Sequence, residues 1–245
     1  YRRLGYPDKA REYLNQAIAH EKRVGDTESL YISTLQLGYA DQETGQYESA
    51  LATQQHALEL ATTTGDRASI AAVNLAIASV LTDLHRYAEA QSELRKAAEG
   101  FAAVGDRADT GMLAYESGRA LAGMKEPRKA LAEFATAEKE FNASGNRRYQ
   151  EILYRAQAKS FEDSNQPAAA LTAYKHYLAA HDGVAKERAN QQAQMLREQF
   201  DSDRAKMENL RLKSEQAAKE RQVEALQGVR RWQQVAMGLL AILIG

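Results

Sequence analysis

The 245-residue chain contains no cysteine, only three prolines, one tryptophan, and no excess of either charge, with 32 Lys and Arg against 33 Asp and Glu. Without cysteine there is no disulfide, thiolate zinc site, iron–sulfur cluster or thiol nucleophile, and the redox compartment stays open. The near-neutral balance excludes the strong basic footprint of a nucleic-acid-binding protein. Phosphate-cradling G-x-x-x-x-G-K and G-x-G-x-x-G loops are missing, as is a G-x-S-x-G elbow. The histidines (His20, His56, His85, His176, His181) show neither H-E-x-x-H nor any other ligand spacing on one helical face. No catalytic residue, metal site or cofactor site is therefore expected. Scarce proline among abundant Ala, Leu, Glu, Gln, Lys and Arg favours an all-α chain. The 44% hydrophobic content is enough for a packed core.

What is present is a forty-residue repeat. Gly25-Asp26 recurs as Gly65-Asp66, Gly105-Asp106 and Gly145-Asn146, and Ala10, Ala50, Ala90, Ala130 and Ala170 keep the same interval. Three residues before each alanine stands Pro7, Tyr47, Tyr87, Pro127 or Pro167, so every proline occupies one repeat position. Proline suits the first helical turn, where its missing N–H costs nothing. Glycine followed by Asp or Asn suits a helix exit and then an N-cap. Each unit reads as helix A (27–43 in the first complete copy), a turn at Gly45, helix B (47–63) and a turn at Gly65-Asp66. Small residues at Gly38, Ala78, Gly118 and Ala158 let helix A approach helix B. Leu51, Leu58, Leu94, Phe134 and Tyr174 fill the space between.

On Gly38/Ala50/Ala57, Ala78/Ala90/Ala97, Gly118/Ala130/Ala137 and Ala158/Ala170 the chain resembles the tetratricopeptide repeat (TPR) in a long-helix form. The resemblance covers residues 1–182: a partial first repeat over 1–26, then repeats from 27, 67, 107 and 147. It departs from the family pattern at the early tryptophan, replaced by Thr34, Asn74, Ala114 and Tyr154, and at Asp41, where an aromatic is usual. The implied fold is an all-α, TPR-type solenoid of antiparallel helix pairs followed by a long C-terminal helix. Such a solenoid binds a peptide, protein or small ligand on the groove lined by its A helices. By register that groove includes Leu35, Leu75 and Ser79, with Tyr39, Tyr115, Arg119, Arg155 and Lys159 as candidate binding residues. The cations among them either converge on an anionic ligand or pair with neighbours such as Glu116 and Glu162. The family's carboxylate-gripping positions here carry mainly Leu, Tyr, Gln, Ala and Glu, so that clamp is absent.

From 183 to 231 the chain becomes a charged helix with apolar residues at Leu196, Phe200, Met207 and Leu210, interrupted by Asp203, Ser214 and Arg221. The spacing suits an adjustable coiled coil, and hence a homodimer through this helix; the other reading is a polar cap folded on the solenoid. Arg230, Arg231 and Trp232 then precede an apolar run, 235–245. Basic residues and Trp flank membrane segments, so the trio reads as a membrane-interface anchor and 232–245 as the start of a truncated transmembrane helix. Eleven apolar residues are short of the about 20 a span needs. A chain that begins at Tyr1 with half a repeat and stops in an apolar run is expected to be a fragment. The order of parts resembles the sensory region of bacterial inner-membrane signalling proteins, with periplasmic TPR repeats, one transmembrane helix and a cytoplasmic output. A GGDEF diguanylate cyclase is the output that resemblance implies first; the alternatives are a histidine kinase or a non-enzymatic TPR scaffold. Basic residues on this flank favour a cytoplasmic side for it, against the periplasmic expectation.

Overall fold

A computed structural model describes residues 1–105 and 109–244, with side chains except at positions 3, 235, 236 and 238–244. A 3₁₀ turn, Arg2–Leu4, is followed among the described residues by nine α-helices: α1 Pro7–Val24, α2 Thr27–Glu43, α3 Tyr47–Thr64, α4 Arg67–Asp83, α5 Tyr87–Val104, α6 Thr110–Gly123, α7 Pro127–Ser144, α8 Arg147–Asp163 and α9 Pro167–Ile244. Successive helices from α1 to α8 pack side by side, and α2, α4 and α6 also touch across the repeat. The protein is all-α, with α2/α3, α4/α5, α6/α7 and α8/α9 forming the repeated helix pairs and α1 standing before them as a lone B helix.

Local chemistry sets the helix ends. Pro7, Pro127 and Pro167 each open a helix. Gly25, Gly65, Gly105 and Gly145 leave their helices with φ between 64 and 76°, a conformation that costs glycine nothing. The next side chain caps the following helix: Asp26 Oδ1 accepts from the Ser29 N–H at 3.0 Å, Asp66 from Ala68 and Ser69, and Asn146 from Tyr149. The fourth such junction, at Asp106, and the expected repeat start at 107 lie outside the described residues; α6 begins at Thr110. The turns inside the pairs repeat as Gly45, His85, Lys125 and Asn165, all with positive φ.

Packing follows the small-residue register. A Cβ added at Gly38 would come within 2.5 Å of Gln54, and one at Gly118 within 2.5 Å of Phe134. Where the A helix carries Ala78 instead, the residue at the facing register position is Leu94, smaller than Phe134, and both are buried. One core cluster runs through α2–α5, including Leu51, Ile77 and Leu81; a second gathers Tyr115, Phe134, Phe141 and Leu153 in α6–α8. Asp41, the departure from the family's aromatic, is buried and ion-paired to Arg11 Nε of α1 at 2.7 Å, while Ser49 donates to its other oxygen at 2.9 Å. That pairing ties the lone first helix to the next hairpin. At the far end the filler Tyr174 stays exposed, as do Leu171 and Leu178, because no further A helix covers them.

The Gly-Asp exit is absent at the next register position, where Ala185-Lys186 stand. Gly183 lies two residues early, against the Arg147 side chain, and stays helical. With no left-handed exit α9 runs on, so the expected division at 182/183 falls inside a helix. The first compact unit extends to Ala189; in the second the described residues, 190–244, are the remainder of α9. Among the described residues no helix is long and apolar enough to cross a membrane. Arg230, Arg231 and Trp232 are helical and exposed, and the side chains of most of the apolar run after them lie outside the described set.

Candidate binding surface on the inner helix wall

The A helices α2, α4, α6 and α8 form one wall of the first unit, and their polar side chains bond from helix to helix. Gln42 Nε2 of α2 donates to Ser79 Oγ at 3.0 Å and to Asp83 Oδ2 at 2.7 Å on α4. Ser79 Oγ donates to Glu116 Oε1 of α6 at 2.9 Å. Arg119 closes the chain of bonds, donating to Glu116 Oε2 at 2.8 Å and making a second ion pair with Asp83. Its guanidinium also lies over the Tyr115 ring, 5.8 Å from the centroid. Two carboxylates thus share one arginine beneath the wall's surface.

The environment shifts these groups. Burial raises the Glu116 carboxyl above the ordinary glutamate value, even though Arg119 and Ser79 favour its charged form. Burial works against the Arg119 charge, but the Glu116 carboxylate and then Tyr115 and Asp83 outweigh it and keep the guanidinium charged. Burial also pushes the phenols of Tyr39 and Tyr115 up, so both are neutral hydrogen-bonding groups at physiological pH.

A second cluster curls the wall. Glu43, at the end of α2, accepts from Arg2 and from Arg148 of α8, both at 2.8 Å, although Arg148 is 105 residues away. Arg2 also lies 5.2 Å from the Tyr39 ring centroid. Two intervening A helices separate α2 from α8, so a flat wall would hold them apart. The contact requires the row to be concave, with Tyr39 and the Arg119 network facing the hollow.

The five sequence candidates are not equivalent. Tyr39 is half-buried in the hollow beside Arg2. Tyr115, which the register assigns to the groove, is buried in the core against Phe134 and Phe141; Leu35 and Leu75 are buried likewise. Arg119 is held by Glu116 and Asp83 as described. Lys159 is exposed and bonded to Asp163 at 2.6 Å, one turn along its own helix. Arg155 is exposed on α8 near Tyr115. The wall gathers Arg119 into a network of its own, while Lys159 pairs along its own helix and Arg155 stays exposed. Gln42, Asp83, Glu43, Arg2 and Arg148 were not singled out from sequence. Of these, Glu43 and Asp83 alone belong to a repeated row, Glu43–Asp83–Gly123–Asp163 at forty-residue spacing. Among the described residues no group of His, Asp or Glu is placed to hold a metal ion.

Solved structures share this fold. A Rap protein complexed with competence and sporulation factor superposes with a TM-score of 0.59 at 14% identity, over 76% of this chain and 62% of that one. PlcR of Bacillus thuringiensis, solved with the peptide PapR7 and DNA, gives 0.60 at 14% identity, over 78% and 73%. A putative kinesin light chain of Podosopora anserina with nearly identical TPR-like repeats gives 0.52 at 16% identity, over 74% and 90%. The fold is a TPR-like solenoid. No protein-family model and no curated protein matches the chain by sequence. At these identities the likeness is one of fold, and the chain spans less than two thirds of the Rap protein's length.

Proposed function

We propose that the solenoid is the protein- or peptide-binding regulatory region of a larger signalling protein, with the concave A-helix wall as its binding surface. The observation that carries this reading is the hydrogen-bonded network Gln42–Ser79–Asp83–Glu116–Arg119, which ties three A helices together; on this reading Tyr39, Arg155 and Lys159 are the side chains that meet the ligand. Two proteins of similar fold were solved with ligands, the Rap protein with competence and sporulation factor and PlcR with the peptide PapR7; the second supports a peptide as the ligand here. Binding that favours one curvature of the wall shifts a population of solenoid conformers, and α9, which begins as the last B helix, carries that shift out of the solenoid.

The finer reading places the solenoid in the periplasm of a bacterium, on the inner membrane. Arg230, Arg231 and Trp232 form the interface anchor, α9 pairs with a second copy, and a GGDEF diguanylate cyclase is the output. It rests on the order of parts in the sequence and on the resemblance it carries. For the wall, the Arg119→Ala/Arg155→Ala/Lys159→Ala variant is expected to lose ligand response, and a normal response ends that reading. For the output, the coding sequence past Gly245 is expected to complete an apolar span of about 20 residues and enter a Gly-Gly-acidic-acidic-Phe domain; a stop codon there contradicts it.

A further inference from the structure

Four large apolar side chains of α9 lie open along one stripe: Leu196, Phe200, Met207 and Leu210, each 61–69% exposed. Their steps of four, seven and three residues are those of a coiled-coil seam. Asp203 sits in the middle of it, and Ala193, Ser214 and Ala217 continue it with small residues. Beyond Ala217 the seam positions are Arg221, Glu224 and Gly228, so the apolar stripe ends there.

We infer that this stripe pairs with the same stripe of a second copy, parallel and in register, and that the Asp203 layer is a built-in weak point that keeps the dimer marginal. The inference rests on the second-copy reading above and adds to it a direction, a register and the residue that tunes it.

The alignment follows from what each alternative sets side by side. An antiparallel pair centred near residue 205 puts Phe200 on Leu210 but Leu196 on Ser214. It also brings Arg204 and Lys206 against their own copies, and Arg197 against Arg211. An antiparallel pair matching Asp203 with Arg221 neutralises that charge, yet leaves Phe200 facing Glu224 and Leu196 facing Gly228. A parallel pair slipped by one heptad sets Asp203 against both Leu196 and Leu210. Only the in-register parallel pair gives all four large apolar residues an apolar partner and confines the mismatch to one layer. There two carboxylates meet, each with its own Lys206 Nζ 3.4 Å away, and like charges so placed oppose association. The flanking cost, Lys206 beside Arg211 of the second copy, is reduced because Glu215 accepts from Arg211 Nε at 2.8 Å.

Because the chain has no cysteine, Ala193→Cys and Ser214→Cys each introduce a single thiol at a small seam position. On mild oxidation of the 245-residue chain each variant is expected to form a disulfide-linked dimer with itself. In the antiparallel pair centred near 205 the two copies of residue 193 are about 36 Å apart, at 1.5 Å per residue. Failure of both to self-link, with linkage only in a mixture of Ala193→Cys and Ala217→Cys, overturns the inference and leaves a second-copy contact standing. In sedimentation equilibrium, Asp203→Leu is expected to tighten the dimer at least tenfold. An unchanged dissociation constant overturns the role of Asp203. A chain that stays monomeric at all concentrations, with and without Asp203→Leu, overturns the pairing altogether.

Discussion

Gly118→Ala isolates the packing rule on which every helix pair depends. A methyl group at Gly118 would sit 2.5 Å from Phe134 Cε1 and 2.6 Å from Cδ1. Ordinary carbon contacts lie at about 3.5–4.0 Å, so the ring or the helix must give way by about 1 Å. Phe134 is fully buried, which leaves its ring no open side to move into. Overpacking of this kind costs about 1–3 kcal/mol. Against it stands the helix propensity of alanine, which favours the substitution by about 1 kcal/mol. The net expectation is a loss of up to about 2 kcal/mol. The double variant Gly118→Ala/Phe134→Leu rebuilds the Ala78–Leu94 pairing that the preceding repeat already uses, and it is expected to be more stable than Gly118→Ala alone despite its smaller core residue. Urea unfolding of the three proteins followed by circular dichroism measures both differences. If Gly118→Ala is stabilising by the full propensity gain, the close approach of α6 and α7 is not what holds that pair together.

Other perturbations follow from single groups. Lys125→Gly is expected to raise stability by about 0.5–1 kcal/mol, because Lys125 holds φ at 66°; a thermal midpoint unchanged or lowered argues against strain at that turn. Gln54 is fully buried with its carbonyl oxygen unpartnered, so Gln54→Leu, the residue used at position 94, is expected to be neutral or stabilising by about 1 kcal/mol in urea unfolding. Arg119→Ala leaves Glu116 and Asp83 side by side without their cation and is expected to cost roughly 1–3 kcal/mol at pH 7, less than for a wholly buried pair because the arginine is partly exposed. The Glu116 carboxyl is raised in the folded state, so folded protein binds its proton more tightly than unfolded protein does. Its contribution to stability is therefore largest below the ordinary value of 4.5 and falls as pH rises from there toward the raised one. Glu116→Gln is expected to flatten that slope in unfolding curves between pH 4 and 7, and an identical slope in the variant contradicts the assignment.

Much of this architecture was legible in the sequence because its punctuation is local. Proline at 7, 127 and 167 and glycine at 25, 45, 65 and 145 act through their own backbone torsions, and α2 and α3 begin where those signals place them. The groove was legible only as a register. Forty-residue spacing says which residues share a row, but not that the Tyr115 ring turns into the Phe134–Phe141 pocket while Tyr39 stays in the hollow. The Glu43–Arg148 contact depends on superhelical twist accumulated over three repeats, which no short motif encodes. Gly183 falls two residues short of the forty-residue register, and the chain stays helical through Ala185.

The central claim, that the concave wall is where a partner binds, is tested most directly by selecting a peptide from a random display library on the immobilised chain and titrating it against groove variants. With wild type set as reference, Arg119→Ala/Arg155→Ala/Lys159→Ala is expected to bind the selected peptide at least tenfold more weakly. His56→Ala, on an exposed part of the B helix α3, is expected to bind it unchanged. Equal affinity for the groove variant, or loss confined to the α3 variant, would place the binding surface elsewhere.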